Sequence, residues 1–423
     1  MKSFKLILLL LTSAFSQSMT FFLCEGNFQS SNASLWYLNQ NHQLNEAPQN
    51  PIGDTAQSMT VHENKLYVIL NGSGVIHIYE ISETEIEFDH TMNLEFSSPR
   101  YLLVMNNIGY LTEWGSNQIT VIDLLSESVI TTIPAGGMPE HIISDGEFIY
   151  AGLNMNADWT AADIVLKIDP SINEIIDEFT VGSNPESMVI IDEILYTSST
   201  TYDEYWTPQY LMASVDLNNP DENFQIYIDN SGLSFGPDIV SVNGQLYRGT
   251  SAGAVEIDPE TLMVIEGSEI GNFDNVYSMD YHNGNFYFGI TDFSAPDEIV
   301  IVDINTHESE TFNVGAIPGS FAFWSSELSY ETAIIPNKFI IEKIYPNPFN
   351  PETMIEFIMN EKSMVEISVL NIQGREIDNL YNGYLNAGQH DIHWQPDHLS
   401  SGVYLVQFIT PHQSLSKPVV LKK

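Results

Sequence analysis

Asn283-Gly284-Asn285-Phe286-Tyr287-Phe288 and, forty residues earlier, Asn243-Gly244-Gln245-Leu246-Tyr247-Arg248 are two copies of one phrase, a turn pair followed by a strand with an aromatic at its centre. The aromatic strand recurs as Leu66-Tyr67-Val68, Gly109-Tyr110-Leu111, Ile149-Tyr150-Ala151 and Leu195-Tyr196-Thr197, and the six tyrosines are spaced by 43, 40, 46, 51 and 40 residues. Phe21-Phe22-Leu23, centred 45 residues before Tyr67, supplies a seventh copy. A period near 40 residues made of short strands points to a propeller, in which each repeat is a small sheet.

The rest of each repeat reads the same way. Turn pairs such as Glu63-Asn64 and Asp145-Gly146 suit tight hairpins because these residues tolerate positive φ. Downstream comes an apolar or alternating strand that often ends in an acid, as in Ile119 to Asp123, Ile164 to Asp169 and Ile299 to Asp303. Upstream lies a short apolar strand often opened by proline, at Pro99, Pro139, Pro185, Pro237 and Pro318. These are strands A (proline), B (aromatic) and C (acid), with an outer D such as Val129 to Ile133 or Glu178 to Val181. The chain opens on a B and a C strand without an A, and the missing A, Ser320 to Trp324, stands at the far end. Pairing the two would leave no open sheet edge. The expected fold is all-β: a seven-bladed β-propeller over residues 17–330. Alternation at period two excludes a helical solenoid.

Composition divides the chain. Residues 17–330 hold 46 acids and only Lys65, Arg100, Lys167 and Arg248, a formal charge of −42, whereas residues 331–423 carry −3. So strong a negative field argues against nucleic acid and anionic lipid as partners, and for cations or neutral ligands. Such acidity also suits a saline, divalent-rich habitat, in which counterions screen self-repulsion. Residues 331–344 read as linker, and 345–423 as a small β-sandwich, because Thr353 to Ile358, Met364 to Leu370, His390 to Trp394 and Val403 to Ile409 alternate at strand period. At the other end, Lys2 and Lys5, the apolar run Leu6 to Leu11, and Ala14 and Ser16 read as a signal peptide over 1–16. No later run is long enough for a spanning helix. The single cysteine, Cys24, excludes an internal disulfide framework and reads as a buried thiol.

The first region resembles the YVTN or surface-layer type of propeller of secreted and periplasmic bacterial proteins. The inner-strand proline, the Asp/Asn-Gly-x-Leu-Tyr run, the Ile-Asp strand end and the opening Glu25-Gly26-Asn27-Phe28 carry the likeness. That resemblance implies fold more than function. The tail resembles the type A C-terminal sorting domain of the type IX secretion system. It opens with Tyr345-Pro346-Asn347-Pro348-Phe349-Asn350-Pro351. Gly374-Arg375, Ala387-Gly388-Gln389-His390 before Trp394, Ser401-Gly402-Val403-Tyr404, Lys417 and Lys422-Lys423 follow. Gln395-Pro396 departs from the usual turn after the tryptophan. The likeness implies an immunoglobulin-like sandwich, engagement of the type IX machinery, and secretion or placement on the outer-membrane surface. The prolines are expected to hold the entry segment extended, and Gly374, Gly388 and Gly402 to occupy turns.

Counting back ten residues from each B-strand aromatic lands on Gln57, Arg100, Glu140, Glu186 and Tyr277, and nine from Tyr247 on Asp238. These positions should ring the channel. Glu140, Glu186 and Asp238 are candidate ligands for Ca2+, which favours carboxylate and carbonyl oxygens. Arg100 would neutralise them or take a substrate carboxylate. His141 is a candidate base. The long B-to-C connections carry Trp159, Tyr202, Tyr205, Trp206 and Tyr210, and such loops concentrate binding surface. Together these features favour a non-catalytic secreted propeller that binds a glycan, a peptide or an envelope protein. The alternative is a calcium-dependent hydrolase of lactonase type with its site in the channel. No segment matches H-E-x-x-H.

Overall fold

The computed structural model describes residues 18–326 and 339–423, apart from 221–223, 229–232, 235, 237, 360–361, 372–374, 387, 397–398 and 411–413. The signal-peptide segment, Pro237 and Gly374 therefore lie outside the described residues. Every regular element among the described residues is a β-strand, and none is a helix long and apolar enough to cross a membrane. The chain divides into two compact units, Met1–Glu331 and Thr332–Lys423.

The first unit is a propeller-like succession of antiparallel sheets. Six sheets are built from consecutive strands, beginning with Ala56–His62, Pro99–Met105, Gly137–Ser144, Ser187–Ile191, Ile239–Val242 and Val276–His282. A further sheet is made from both ends of the unit. Ser18–Cys24 pairs with Ser34–Leu38 on one side and antiparallel with Pro318–Ser325 on the other, placing Phe21 opposite Ala322 and Met19 opposite Trp324.

The recurring tyrosine is the plug between neighbouring sheets. Tyr67 packs with Leu102, Leu111 and Ile122 of the next sheet, and Tyr110 with Ile142, Ile149 and Ile168. Tyr150, Tyr196 and Tyr247 continue the series, and Tyr287 lies against Phe22, Leu38 and Phe321 of the two-ended sheet. Each large side chain so buried is worth about 1.5–3 kcal/mol. In the two-ended sheet the residue facing the following sheet is Phe21, not Phe22, because Phe21 clusters with Leu66, Val68 and Tyr79. The seventh copy is therefore displaced by one residue, which exchanges the faces of a strand.

Inner strands of adjacent sheets splay apart and cannot share a ladder, so hydroxyls bridge them. Ser58 Oγ donates to the Arg100 carbonyl (2.6 Å), Thr60 Oγ1 to that of Leu102 (2.7 Å) and Ser278 Oγ to that of Pro318 (2.6 Å). The acid at the end of strand C has a local task. Oδ1 of Asp123, Asp258 and Asp303 accepts the N–H groups two and three residues on, closing the turn that follows strand C. Part of the acidity is thus turn chemistry.

In the second unit, Phe339–Tyr345, Thr353–Met359 and Gly388–Trp394 form one sheet, and Ser363–Asn371, Glu376–Leu385, Gly402–Ile409 and Ser414–Leu421 the other. Thr353–Met359 alternates buried and half-buried positions along its whole length, and Phe349, Phe357, Trp394 and Phe408 join one core. Of the expected linker, the part up to residue 338 is outside the described residues, and the remainder belongs to the strand Phe339–Tyr345.

Candidate functional site

The ends of strand B and the beginnings of strand A enclose a cavity of about 360 Å³. Gln57, Arg100, Glu140, Glu186, Asp238 and Tyr277 all line it, so the count from the tyrosines finds spatially equivalent positions. Tyr101, Glu186 and Asp238 also line a second cavity of about 290 Å³, formed further along the inner strands, where His141 and Asp280 join them.

Arg100 is the electrostatic centre of the larger cavity. Its Nε and Nη2 meet the two Glu140 oxygens at 2.9 and 2.5 Å, Nη1 donates to Gln57 Oε1, and the guanidinium lies 4.2 Å from the Trp114 ring centroid. Burial works against the Arg100 charge, but Glu140 beside it raises the pKa above its ordinary value. The bidentate pair sets the Arg100 charge against that of Glu140.

The other carboxylates are separately engaged. Glu186 Oε2 accepts the Thr200 N–H (3.2 Å), and Asp238 Oδ2 accepts the Met279 N–H (2.8 Å). Burial, with the Glu140 charge added, pushes Glu186 up to about 8, and burial carries Asp238 to about 6. These oxygens do not converge with Glu140 as a ligand set: among the described residues no three His, Cys, Asp or Glu side chains are placed to hold one metal ion. Two of the three use one oxygen on backbone, and the third uses both of its oxygens on Arg100.

Two acids of the channel escaped the count. Glu25 lines the larger cavity, is raised by burial to about 7, and accepts a hydrogen bond from Tyr277. It fills the space left by Gly319, where a Cβ would stand 2.2 Å from Glu25 Oε1. Gly319 is the equivalent of the counted positions in the closing sheet, but no B strand follows it in the chain from which to count back. Asp280, beside the smaller cavity, is raised by burial to about 7. Arg248 was visible only as one of four bases. It is wholly buried, donating to the carbonyls of Leu211 (2.9 Å) and Ser199 (3.2 Å), and desolvation lowers it to about 10. His141 is no base in waiting: its Nδ1 accepts the Met188 N–H (3.0 Å), and burial lowers its pKa to about 4. Cys24 is a buried free thiol raised by burial to about 12.

The loop aromatics divide. Trp159, Tyr202, Tyr205 and Trp206 are exposed, the two tryptophans at 69% and 81%, while Tyr210 folds back against Tyr196 and Leu246 and lies 5.9 Å from Arg248. Phe28 and Phe293, on two further B-to-C connections, are exposed as well and were not anticipated. The Asn27 side chain donates to the Phe293 carbonyl at 3.1 Å, tying those two loops together.

In the second unit the opening motif and the closing residues interlock. Phe349 N–H donates to the Val420 carbonyl (2.9 Å), Lys422 N–H to that of Phe349 (3.0 Å) and Val420 N–H to Asn347 Oδ1 (2.9 Å). Pro346 to Pro351 therefore runs through bends around Phe349 and is not the extended entry expected. The Phe349 ring lies tilted 5.3 Å from that of Trp394, whose Nε1 donates to Asp378 Oδ2 (2.9 Å). Tyr345 donates to Glu356 (2.6 Å), and Tyr404 to the Ser400 carbonyl (2.7 Å). Arg375 N–H donates to Asn371 Oδ1 (3.1 Å). Gly388, at φ +127°, and Gly402 begin strands, while Lys417 and Lys422 are exposed.

Residues 343–422 match the family model described as the secretion system C-terminal sorting domain. This portion of the chain is a sorting domain, which implies export to the cell surface or secretion and engagement of the type IX machinery. No curated protein matches the chain. Among solved structures, the chain is similar to a "putative 6-phosphogluconolactonase" from Bacteroides fragilis NCTC 9343, at 12% identity and a TM-score of 0.52, covering 74% of this chain and 99% of that one. A protein of the same description from Bacteroides uniformis ATCC 8492 gives 12% identity and a TM-score of 0.50, over 73% and 99%. At such identities the likeness concerns the propeller-like fold alone.

Proposed function

We propose that this is a secreted or cell-surface binding protein without catalytic activity: a seven-bladed propeller of the YVTN or surface-layer type, over residues 17–330. In this reading the signal peptide at 1–16 starts export, and an immunoglobulin-like sorting domain at 345–423 completes it. The observation that carries the binding role is the exposure of Trp159, Tyr202, Tyr205 and Trp206 on two connections that leave the sheets at the end lined by the larger cavity. Solvent-facing tryptophans give up apolar area to water, and they anchor interfaces far more often than chance. The sheet-to-sheet tyrosine plugs and the pairing of Ser18–Cys24 with Pro318–Ser325 support the blade count.

A lactonase-type site is less well supported. The cavity's one solvent-reachable cation is held by Glu140, and the carboxylates do not gather around a metal. The deciding experiment is a screen of glycans and peptides against the full chain, with and without calcium, together with a lactone-hydrolysis assay. Binding that is lost in the Tyr205→Ala/Trp206→Ala double variant, at an unchanged melting temperature, is the expected result. Calcium-dependent lactone turnover, or ligand binding indifferent to the substitutions, overturns the reading.

A further inference from the structure

Two of the loops are copies of each other. In Asn156-Ala157-Asp158-Trp159-Thr160, the Asn156 N–H donates to the Thr160 carbonyl (2.8 Å) and the Trp159 N–H to that of Asn156 (2.9 Å). In Asp203-Glu204-Tyr205-Trp206-Thr207, the Asp203 N–H donates to the Thr207 carbonyl (3.1 Å) and the Trp206 N–H to that of Asp203 (3.0 Å). Both tryptophans sit at positive φ, +67° and +61°, a conformation that bulky residues rarely adopt. The tight turn leaves each indole facing solvent. The loops rise from neighbouring sheets, which touch through the Met188 N–H and His141 Nδ1.

Each loop also fixes a carboxylate within three residues of its tryptophan. Asp158 Oδ1 accepts from the Thr160 N–H (3.1 Å) and hydroxyl (2.6 Å), and Asp203 Oδ1 from the N–H groups of Tyr205 and Thr207 (both 2.8 Å). The Thr160 hydroxyl and amide lower Asp158, and chiefly the Thr207 amide lowers Asp203, so both stay ionised. Against them, each of the four Lys and Arg residues described in the first unit is already engaged or buried. Lys65 lies 3.2 Å from Glu80, Arg100 holds Glu140, Lys167 covers the Phe148 ring at 4.0 Å, and Arg248 is buried.

Resting on the binding role proposed above, we infer that the twin loops form a paired site for a basic peptide segment, each taking one lysine or arginine side chain between an indole face and a fixed carboxylate. A cation over tryptophan gains from the ring quadrupole as well as from the adjacent acid. An anionic partner, or a second copy of this chain, meets the field of a −42 domain. A neutral glycan would gain nothing from that field.

The test titrates the full chain with a fluorescent oligolysine, with oligoglutamate of the same length and with a soluble neutral β-glucan. The variants are Trp159→Ala, Trp206→Ala, their combination, and Asp158→Asn/Asp203→Asn, which keeps the Oδ1 acceptors of the turns but removes their charge. Each single tryptophan loss should weaken oligolysine binding by about 2- to 30-fold, the range expected for a cation over an aromatic face. The tryptophan pair should weaken it further, and the Asn pair should both weaken binding and reduce its salt dependence. The melting temperature should hold throughout. Because tryptophan carries no charge, oligolysine binding indifferent to both tryptophans would mean unspecific attraction and overturns the inference. β-Glucan binding that depends on them, with oligolysine binding that does not, also overturns it while leaving the binding role of this face intact.

Discussion

Individual side chains in the channel set a pH response opposite to that of most acidic proteins. Glu25, Glu186, Asp238 and Asp280 are raised to about 7, 8, 6 and 7 by burial. The folded chain therefore keeps protons that the unfolded chain, titrating near pH 4, has released. Their contribution to stability is fully present below about pH 4 and is lost as pH rises to about 8. The turn aspartates Asp123, Asp158, Asp169 and Asp303 are lowered by N–H or hydroxyl donors, so their contribution holds above about pH 4 and fades in stronger acid. Urea unfolding should accordingly show maximal stability in mild acid. Glu186→Gln should flatten the decline between pH 5 and 8 by up to about 1.4 kcal/mol per pH unit over the span where that group titrates. An unchanged slope in the variant would show that Glu186 is ionised in the folded protein. None of these shifts is legible in the sequence, where Glu186 and the surface acid Glu178 look alike. What the spacing does disclose is which acids share the channel, since equal distance from a plugging tyrosine means equal height on the inner strand.

Among the elements, the seam between consecutive sheets is closely fitted. Gly289, on the strand Asn285–Ile290, has the Pro318 carbonyl oxygen 2.1 Å from where a Cβ would stand and Ser278 Oγ at 2.4 Å. The backbone oxygen cannot step aside without moving the inner strand of the closing sheet. Gly289→Ala should cost roughly 1–3 kcal/mol, the range for overpacking a filled interior, read as a drop in urea midpoint. Gly284→Ala tests a hairpin instead: nothing lies within 4 Å of its added Cβ, and only the strain of φ +86° opposes it. A midpoint for Gly289→Ala equal to the parent's would mean that the two sheets can slide. The strands themselves were readable because turn pairs, alternation and the aromatic coincide in each repeat. The one-residue displacement at Phe21 was not, because Phe21-Phe22-Leu23 is apolar on both faces and carries no alternation from which to fix a register. The bends between Pro346 and Pro351 escaped for a different reason: the Val420 and Lys422 backbone groups that hold them lie some seventy residues further along the chain.

For the molecule as a whole, the first unit stands or falls on the pairing of its two ends. A chain lacking Ser18–Cys24 leaves Pro318–Ser325 without its ladder partner and Ser34–Leu38 with Leu44–Glu46 alone, and strips Phe21 and Leu23 from their core. Its near-ultraviolet dichroism should lose the sharp thermal transition of the intact chain. A sharp transition at the parent temperature would show that the remaining sheets hold one another without the seam. The order of parts along the chain has a corollary for biosynthesis. The strand that seals the first unit is read out last of that unit's strands, and the export tag follows directly behind it. A ribosome that stops before residue 318 thus releases a product with neither seal nor tag, and one that stops before residue 343 releases a sealed unit without its tag.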